Sequence, residues 1–223
     1  MNVRHHVSDD LLSAYATGEL VEGWSLAVAT HLALCPDCRN RLRDFEAIAG
    51  ELFEGLPAST DDMGSSWAQL SQRLADPSDG IIPATRQGVV ASASRAPVLP
   101  EPLRSYVGSD ALALKWKPLG RGAYQVPIPT GDGVTSVRLL RIPAGRPVPE
   151  HSHGGRELTL VLAGSFSDEK GRFCRGDIEE ADEELQHQPI AGAGEDCICL
   201  AVTDAPLRFK SRLLRLIQPV LGI

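Results

Sequence analysis

His31, Cys35 and Cys38 fall in a His-x3-Cys-x2-Cys pattern, three side chains that bind a soft divalent ion once they are deprotonated. Four residues apart on a helix, His31 and Cys35 project from one face, and the knuckle Cys35-Pro36-Asp37-Cys38 returns a second thiolate to the same point. Zinc suits such a set, and a structural zinc site takes four ligands. His6 or His5, just upstream of the helix-start signal Ser8-Asp9-Asp10, is the candidate for closing the tetrahedron by a fold-back of the chain.

A second constellation reads Gly145-x5-His151-x-His153-x3-Glu157-x6-Gly164. In a strand, His151 and His153 point to one face, and Glu157 on the next paired segment reaches the same point inside a barrel. His187, later in the chain, is placed to complete the set. Two or three imidazoles and a carboxylate suit zinc, iron, manganese or nickel, and ligand type does not choose among them.

The elements that must hold these groups follow from periodicity. Asp9, Asp10, Leu11, Leu12 and Tyr15 start a first helix that Gly18 stops. Leu26, Ala29 and Ala33 space a second from about Glu22 to Leu34. Pro36 opens a third, striped by Leu42, Phe45, Ile48 or Ala49, Leu52 and Leu56. A short helix after Ser65 and Ser66 sets Trp67, Leu70 and Leu74 on one face, either as satellite core or as a surface for a partner. Between Asp76 and Pro102 the pattern dissolves into Pro, Ser, Ala, Gly and Arg, the composition of a linker. Beyond it the period changes to two, in runs such as 136–142, 157–162 and 196–202, which predicts an all-β sandwich or barrel. Cys197 and Cys199 share one strand face, directed into the core or toward a metal.

A chain of 223 residues with 43% hydrophobic residues is long enough for two modest domains with packed cores. The net charge is −7, and residues 1–75 hold five Arg against eleven Asp and Glu, which disfavours direct DNA binding and suits a basic partner. Five cysteines, unevenly spaced, argue for a reducing compartment. With no apolar run near 18 residues and no apolar leader, the expectation is a cytoplasmic protein without a membrane span.

Residues 103–223 resemble the cupin superfamily, whose first motif matches Gly145 to Gly164 at each defining position. Gly171 to Asp177 looks like the start of the second motif, but the usual Pro-x-Gly before its histidine is replaced by the run from Glu179 to Gln186. That acidic run, Glu179 to Glu184, reads as a solvated turn. The resemblance implies a jelly-roll barrel in which His151, His153, Glu157 and His187 bind Zn2+ or another divalent transition metal. An upstream histidine followed by His-x3-Cys-x2-Cys resembles the zinc-binding anti-sigma domain, and this implies His6 as the fourth zinc ligand beside His31, Cys35 and Cys38.

In this order, the two parts resemble the ChrR-type anti-sigma factors. The expected fold is multidomain α + β: a zinc-binding helical bundle over residues 1–80, a Pro-rich linker over 81–102 and an all-β cupin over 103–223. The resemblance implies a regulator rather than an enzyme. Its helical domain would bind an extracytoplasmic-function sigma factor in a 1:1 complex, blocking RNA polymerase and promoter DNA. Its cupin would govern release under photooxidative stress such as singlet oxygen. The competing expectation is a metal-dependent cupin oxygenase or isomerase.

Overall fold

Helix α1 (Asp9–Thr17) starts where the backbone leaves the extended region at Ser8, with Asp9 and Asp10 in the first turn against the positive end of the helix dipole. Gly18 stops it in the left-handed region at φ 74°, and Glu19 N–H returns to Ala14 O. Ser8 takes the N-cap position, yet its side chain does not cap the helix; its Oγ lies 2.9 Å from Glu180 Oε2.

Helix α2 (Glu22–Leu34) buries Trp24, Leu26, Ala27, Val28 and Leu32, an apolar set that spreads around most of the helix. Such a helix needs cover on several sides. Helix α3 (Pro36–Glu54) leans Leu42 and Phe45 on the same core, while Ile48, Leu52 and Phe53 further along are exposed. Helix α4 (Gly64–Ala75) exposes Trp67, Leu70 and Leu74. Helix α5 (Glu101–Val107) buries Leu103 and ends at Gly108 with φ 74°.

The structure, a computed structural model, describes residues 3–57, 64–75, 96–120 and 122–210. Its first six strands are β1 (Lys117–Gly120), β2 (Ala123–Ile128), β3 (Ser136–Ile142), β4 (His151–Ser152), β5 (Glu157–Ala163) and β6 (Ser165–Asp168). The rest are β7 (Gly171–Cys174), β8 (Ile178–Ala181), β9 (Gln186–His187), β10 (Ile190–Ala191), β11 (Cys197–Thr203) and β12 (Arg208–Phe209). They form a six-stranded sheet in the order β1-β2-β3-β11-β5-β8 and two three-stranded sheets, β10-β6-β7 and β12-β4-β9. The pairings between these strands are all antiparallel.

Strands β5 and β11 are buried on both faces. Leu158, Leu160, Leu162, Leu200 and Val202 join Leu26, Val28 and Leu32 of α2 in one core. By alternation Val161, Cys197 and Cys199 face the other way, where they pack with Phe166 and Phe173 in a second core. Helix α2 therefore rests on the outer face of the sheet whose inner face lines the barrel.

The contacts gather residues 1–50 with 97–223 in one compact unit and set residues 51–96 in another. This grouping differs from the expected division at 80 and 102. The reason is the apolar surface of α2: its side chains share a core with the strands, so α1, α2 and the first part of α3 are packed with the cupin-like part. Most of the expected linker, residues 81–95, lies outside the described residues. Its end is ordered chain, because Leu99 is fully buried and Val98 and Leu99 donate their N–H groups to the two carboxylate oxygens of Asp110. Helix α5 was not legible in the sequence, where Pro100 and Pro102 were grouped with the linker.

The start of α2 is fastened to the β2–β3 loop. Asp132 accepts hydrogen bonds from Gly23 N, Val134 N, Thr135 N and Thr135 Oγ1 at 2.7–2.9 Å, and its carboxyl is held far below the usual range chiefly by the bond from the Thr135 backbone. A Cβ added at Gly23 would lie 2.1 Å from Thr135 Oγ1 and 2.8 Å from Val137 Cγ2. Gly23→Ala should therefore lower the stability of the full chain by about 1–3 kcal/mol in urea unfolding. Gly50→Ala on α3, where nothing lies within 4 Å, should be neutral or stabilising by about 0.5–1 kcal/mol.

Candidate metal centres

The first cluster sits where α2 meets α3. His31 is in the last turn of α2, Cys35 caps that helix with its N–H on His31 O at 2.9 Å, and Pro36 turns the chain so that Cys38 lies in the first turn of α3. Cys38 N donates to Cys35 Sγ at 3.4 Å, and Arg41 Nη1 donates to Cys38 Sγ at 3.7 Å. The segment preceding α1 brings His6 to the knuckle, its Nδ1 lying 3.3 Å from Cys35 Sγ and 3.4 Å from Cys38 Sγ. Donor atoms of His6, His31, Cys35 and Cys38 all lie within 4.8 Å of one another. His5 turns the other way, toward Phe173, with ring centroids 4.2 Å apart, and its Nδ1 is 3.6 Å from Asp177 Oδ2.

This donor set fits a tetrahedral zinc ion. Zinc–sulfur and zinc–nitrogen bonds of about 2.3 and 2.0–2.1 Å give a nitrogen–sulfur edge of about 3.6 Å, close to the observed separations. Among the described residues the buried ring nitrogens of His31 have no side-chain hydrogen-bond partner, which a bound cation would relieve at one of them. Burial pulls the His31 imidazole down to about 4, so it presents a neutral ring at pH 7. Burial and the neighbouring Cys35 push the Cys38 thiol up to about 11, a cost that a dication among the sulfurs reverses.

The second cluster lies inside the barrel. His151 on β4 and His187 on β9 are paired across two strands, and His153 follows β4 directly. Their Nε2 atoms converge: His187 Nε2 is 3.2 Å from that of His151 and 3.3 Å from that of His153. The Nδ1 atoms point outward, that of His151 to Pro149 O at 2.8 Å, that of His187 to Asp168 Oδ2 at 2.8 Å, and that of His153 to Glu157 Oε2 at 3.2 Å. Three zinc–nitrogen bonds of about 2.0–2.1 Å set nitrogens about 3.3 Å apart, so the converging trio fits a divalent ion. Burial takes His151 down to about 4 and keeps it neutral.

Glu157 stands beside His153 and apart from the converging nitrogens. Its Oε1 accepts Thr159 Oγ1 at 2.8 Å. Burial opposes its ionisation, but His153 and His151 hold the carboxyl below the usual range.

Two carboxyls at this site escaped the sequence. The Asp168 side chain is fully buried against His187, and Glu179 Oε1 lies 3.7 Å from the same His187 Nδ1. Glu179 corrects the solvated-turn reading of the acidic run: it is 4% exposed on β8, whereas Asp182, Glu183 and Glu184 are exposed as expected. Burial and the neighbouring Asp168 push Glu179 up to about 9. No local pattern singles it out, since Asp177, Ile178, Glu179 and Ala181 are all buried and only Glu180 among them is half-buried. Cys197 and Cys199 share a buried face with their sulfurs 3.4 Å apart. The hydrogen bond with Cys197 and burial push Cys199 well above the usual thiol range.

A buried His/Cys knuckle at the end of a helix, packed on a cupin-like barrel with its own convergent imidazoles, defines a protein with two metal-donor centres. A family model described as the ChrR cupin-like domain matches residues 105–206. Over 226 residues, spanning all of both chains, the sequence is 49% identical to the anti-sigma-E factor ChrR of Cereibacter sphaeroides. Among solved structures, the crystal structure of Rhodobacter sphaeroides SigE in complex with the anti-sigma ChrR matches with a TM-score of 0.77 and 46% identity, covering 91% of this chain and 100% of that one. The chain belongs to the ChrR family of anti-sigma factors.

The buried imidazoles make a pH prediction for the metal-stripped chain. Unfolded histidines take up protons near 6.5, but folded His31 and His151 do so only near 4, so stability falls as pH drops through that window. Glu179 works in reverse, because it keeps its proton when folded up to about 9 and loses it when unfolded above about 4.5. Glu179→Gln removes that compensation. Urea unfolding at pH 5 and 7 should show a steeper acid loss in this variant, by up to about 1.4 kcal/mol per pH unit.

Proposed function

We propose that this chain is an anti-sigma factor that binds an extracytoplasmic-function sigma factor in a 1:1 complex and keeps it from RNA polymerase and promoter DNA. It acts by occlusion in the cytoplasm, and no catalytic step is involved. The observation that carries this reading is that large apolar side chains are left exposed on each of two helices of an acidic segment. Ile48, Leu52 and Phe53 on α3 are 60%, 70% and 74% exposed, and Trp67 and Leu74 on α4 are 66% and 72%. Apolar faces of that kind, flanked by charge, mark a surface that a partner covers. The relative solved as a complex with SigE and the full-length similarity to an anti-sigma-E factor support the same reading. None of the described helices is long and apolar enough to cross a membrane.

In this reading His6, His31, Cys35 and Cys38 hold a structural Zn2+ that fixes the turn between α2 and α3. Structural zinc supplies on the order of 10–16 kcal/mol in small folds. His151, His153 and His187, with Glu157 beside them, hold Zn2+ or another divalent transition metal. This second centre is required for release of the sigma factor under photooxidative stress such as singlet oxygen. Pro149 O and Asp168 each take the Nδ1 proton of a histidine, which leaves the Nε2 lone pairs of His151 and His187 directed inward.

Two expected outcomes test the reading. Metal analysis of the protein purified from its own cytoplasm should give two metal ions per chain, with one lost in Cys38→Ala and the other in His187→Ala. Trp67→Ala or Leu52→Glu should weaken binding to the cognate sigma factor at least about 30-fold in titration calorimetry, whereas Leu112→Glu, at a residue 94% exposed far along the chain, should not. Wild-type affinity in both helix variants would remove the proposed surface.

A further inference from the structure

Strand β8 touches both centres. Its register against β5 sets Thr159 opposite Glu179 and Glu157 opposite Ala181. Glu179 reaches inward to the Asp168–His187 pair, with its Oε1 3.7 Å from His187 Nδ1. Its neighbours in the chain reach outward to residues 4–8, the segment that carries His6. Asp177 Oδ1 accepts Arg4 N at 2.6 Å and His5 N at 3.0 Å, while its Oδ2 accepts Cys174 N at 2.8 Å. Ile178 N donates to His5 O at 3.2 Å. Glu180 accepts Ser8 N at 2.8 Å and Ser8 Oγ at 2.9 Å, and Arg156 holds the same carboxylate at 2.8 Å.

His6 is thus pinned on both sides, at His5 and at Ser8, by Asp177 just before β8 and by Ile178 and Glu180 within it. Val3 and Val7 are buried within the same segment, and Asp177 is 2% exposed, so the anchor has little slack. Metal–ligand distances tolerate only about 0.2 Å. A sub-ångström shift of β8 is therefore enough to spoil the reach of His6 to Cys35 and Cys38.

We propose that β8 and the residue before it, through Asp177 and Glu180, couple the two centres, so that an intact barrel cluster keeps His6 seated in the knuckle and a disturbed one loosens it. The proposal rests on the reading of both clusters as metal sites. By linkage the effect is mutual: a metal held at either centre strengthens retention at the other.

The test follows alkylation of Cys35 and Cys38 by iodoacetamide in the zinc-loaded full chain, using peptide mass spectrometry. Exposed Cys174 serves as the reference for reagent reactivity. His151→Ala, which disturbs the barrel cluster without touching Asp168 or Glu179, should speed alkylation of the knuckle at least about 5-fold. Glu180→Ala should speed it by itself, and adding His151→Ala should then change the rate no further. If Glu180→Ala fails to fold by near-ultraviolet circular dichroism, Glu180→Gln and Ser8→Ala carry the same comparison. A wild-type rate in His151→Ala, or effects of His151→Ala and Glu180→Ala that multiply, overturns the coupling while two bound zinc ions leave the metal reading intact. A chain that binds no zinc at either cluster overturns both.

Discussion

The burial of α2 against the outer face of the six-stranded sheet is the constraint on which the rest depends. Each fully buried Leu or Val contributes about 1.5–3 kcal/mol relative to exposure, and Leu26, Val28 and Leu32 bury together against Leu158, Leu160 and Leu200. The helix cannot lift off without exposing both surfaces. Because His31 and Cys35 stand in its last turn and at its cap, the knuckle inherits its position from the sheet. Asp132 completes the attachment at the opposite end of the helix, where it accepts the N–H of Gly23.

The two centres meet the cost of buried polar groups in different ways. In the knuckle, two thiols and two imidazoles crowd together, with the Cys38 and Val7 backbone and Arg41 directed at the sulfurs. Two thiolates there would be neutralised by a dication. In the barrel the inner groups are three imidazoles, and the carboxyls stand behind them at Asp168 and Glu157. A cation placed among those rings is balanced one bond further out. The first arrangement offers four protein donors, enough to close a tetrahedral shell, while the converging three of the second leave room for an additional donor.

The nearest-spaced donors of both clusters were legible in the sequence because their spacing is local. His31, Cys35 and Cys38 span two turns of chain, and His151 and His153 alternate on a strand, so periodicity alone groups them. The long apolar runs were legible for the same reason and became β3, β5 and β11. What escaped depends on partners distant in the chain. Asp168 and Glu179 meet only because β6 and β8 fold around His187, and an acidic run gives no sign of which carboxyl is buried. The attachment of α2 to the sheet was hidden too, since its all-round apolar character shows that it is covered without showing by what. The two-residue strands β4, β9, β10 and β12 are too short to carry a period.

The shared core also sets an order on the making of the protein. Leu26 and Val28 leave the ribosome more than a hundred residues ahead of Val137 and Leu139, and further still ahead of Leu200 and Val202. At a synthesis rate of about 5–20 residues per second, α2 waits on the order of ten seconds for the surface that will cover it. Through that interval its apolar side chains have only α1, α3 and whatever binds a nascent chain for company. The knuckle donors, all within the first forty residues, are open to solvent for the same period, before the barrel closes over the helix that carries most of them.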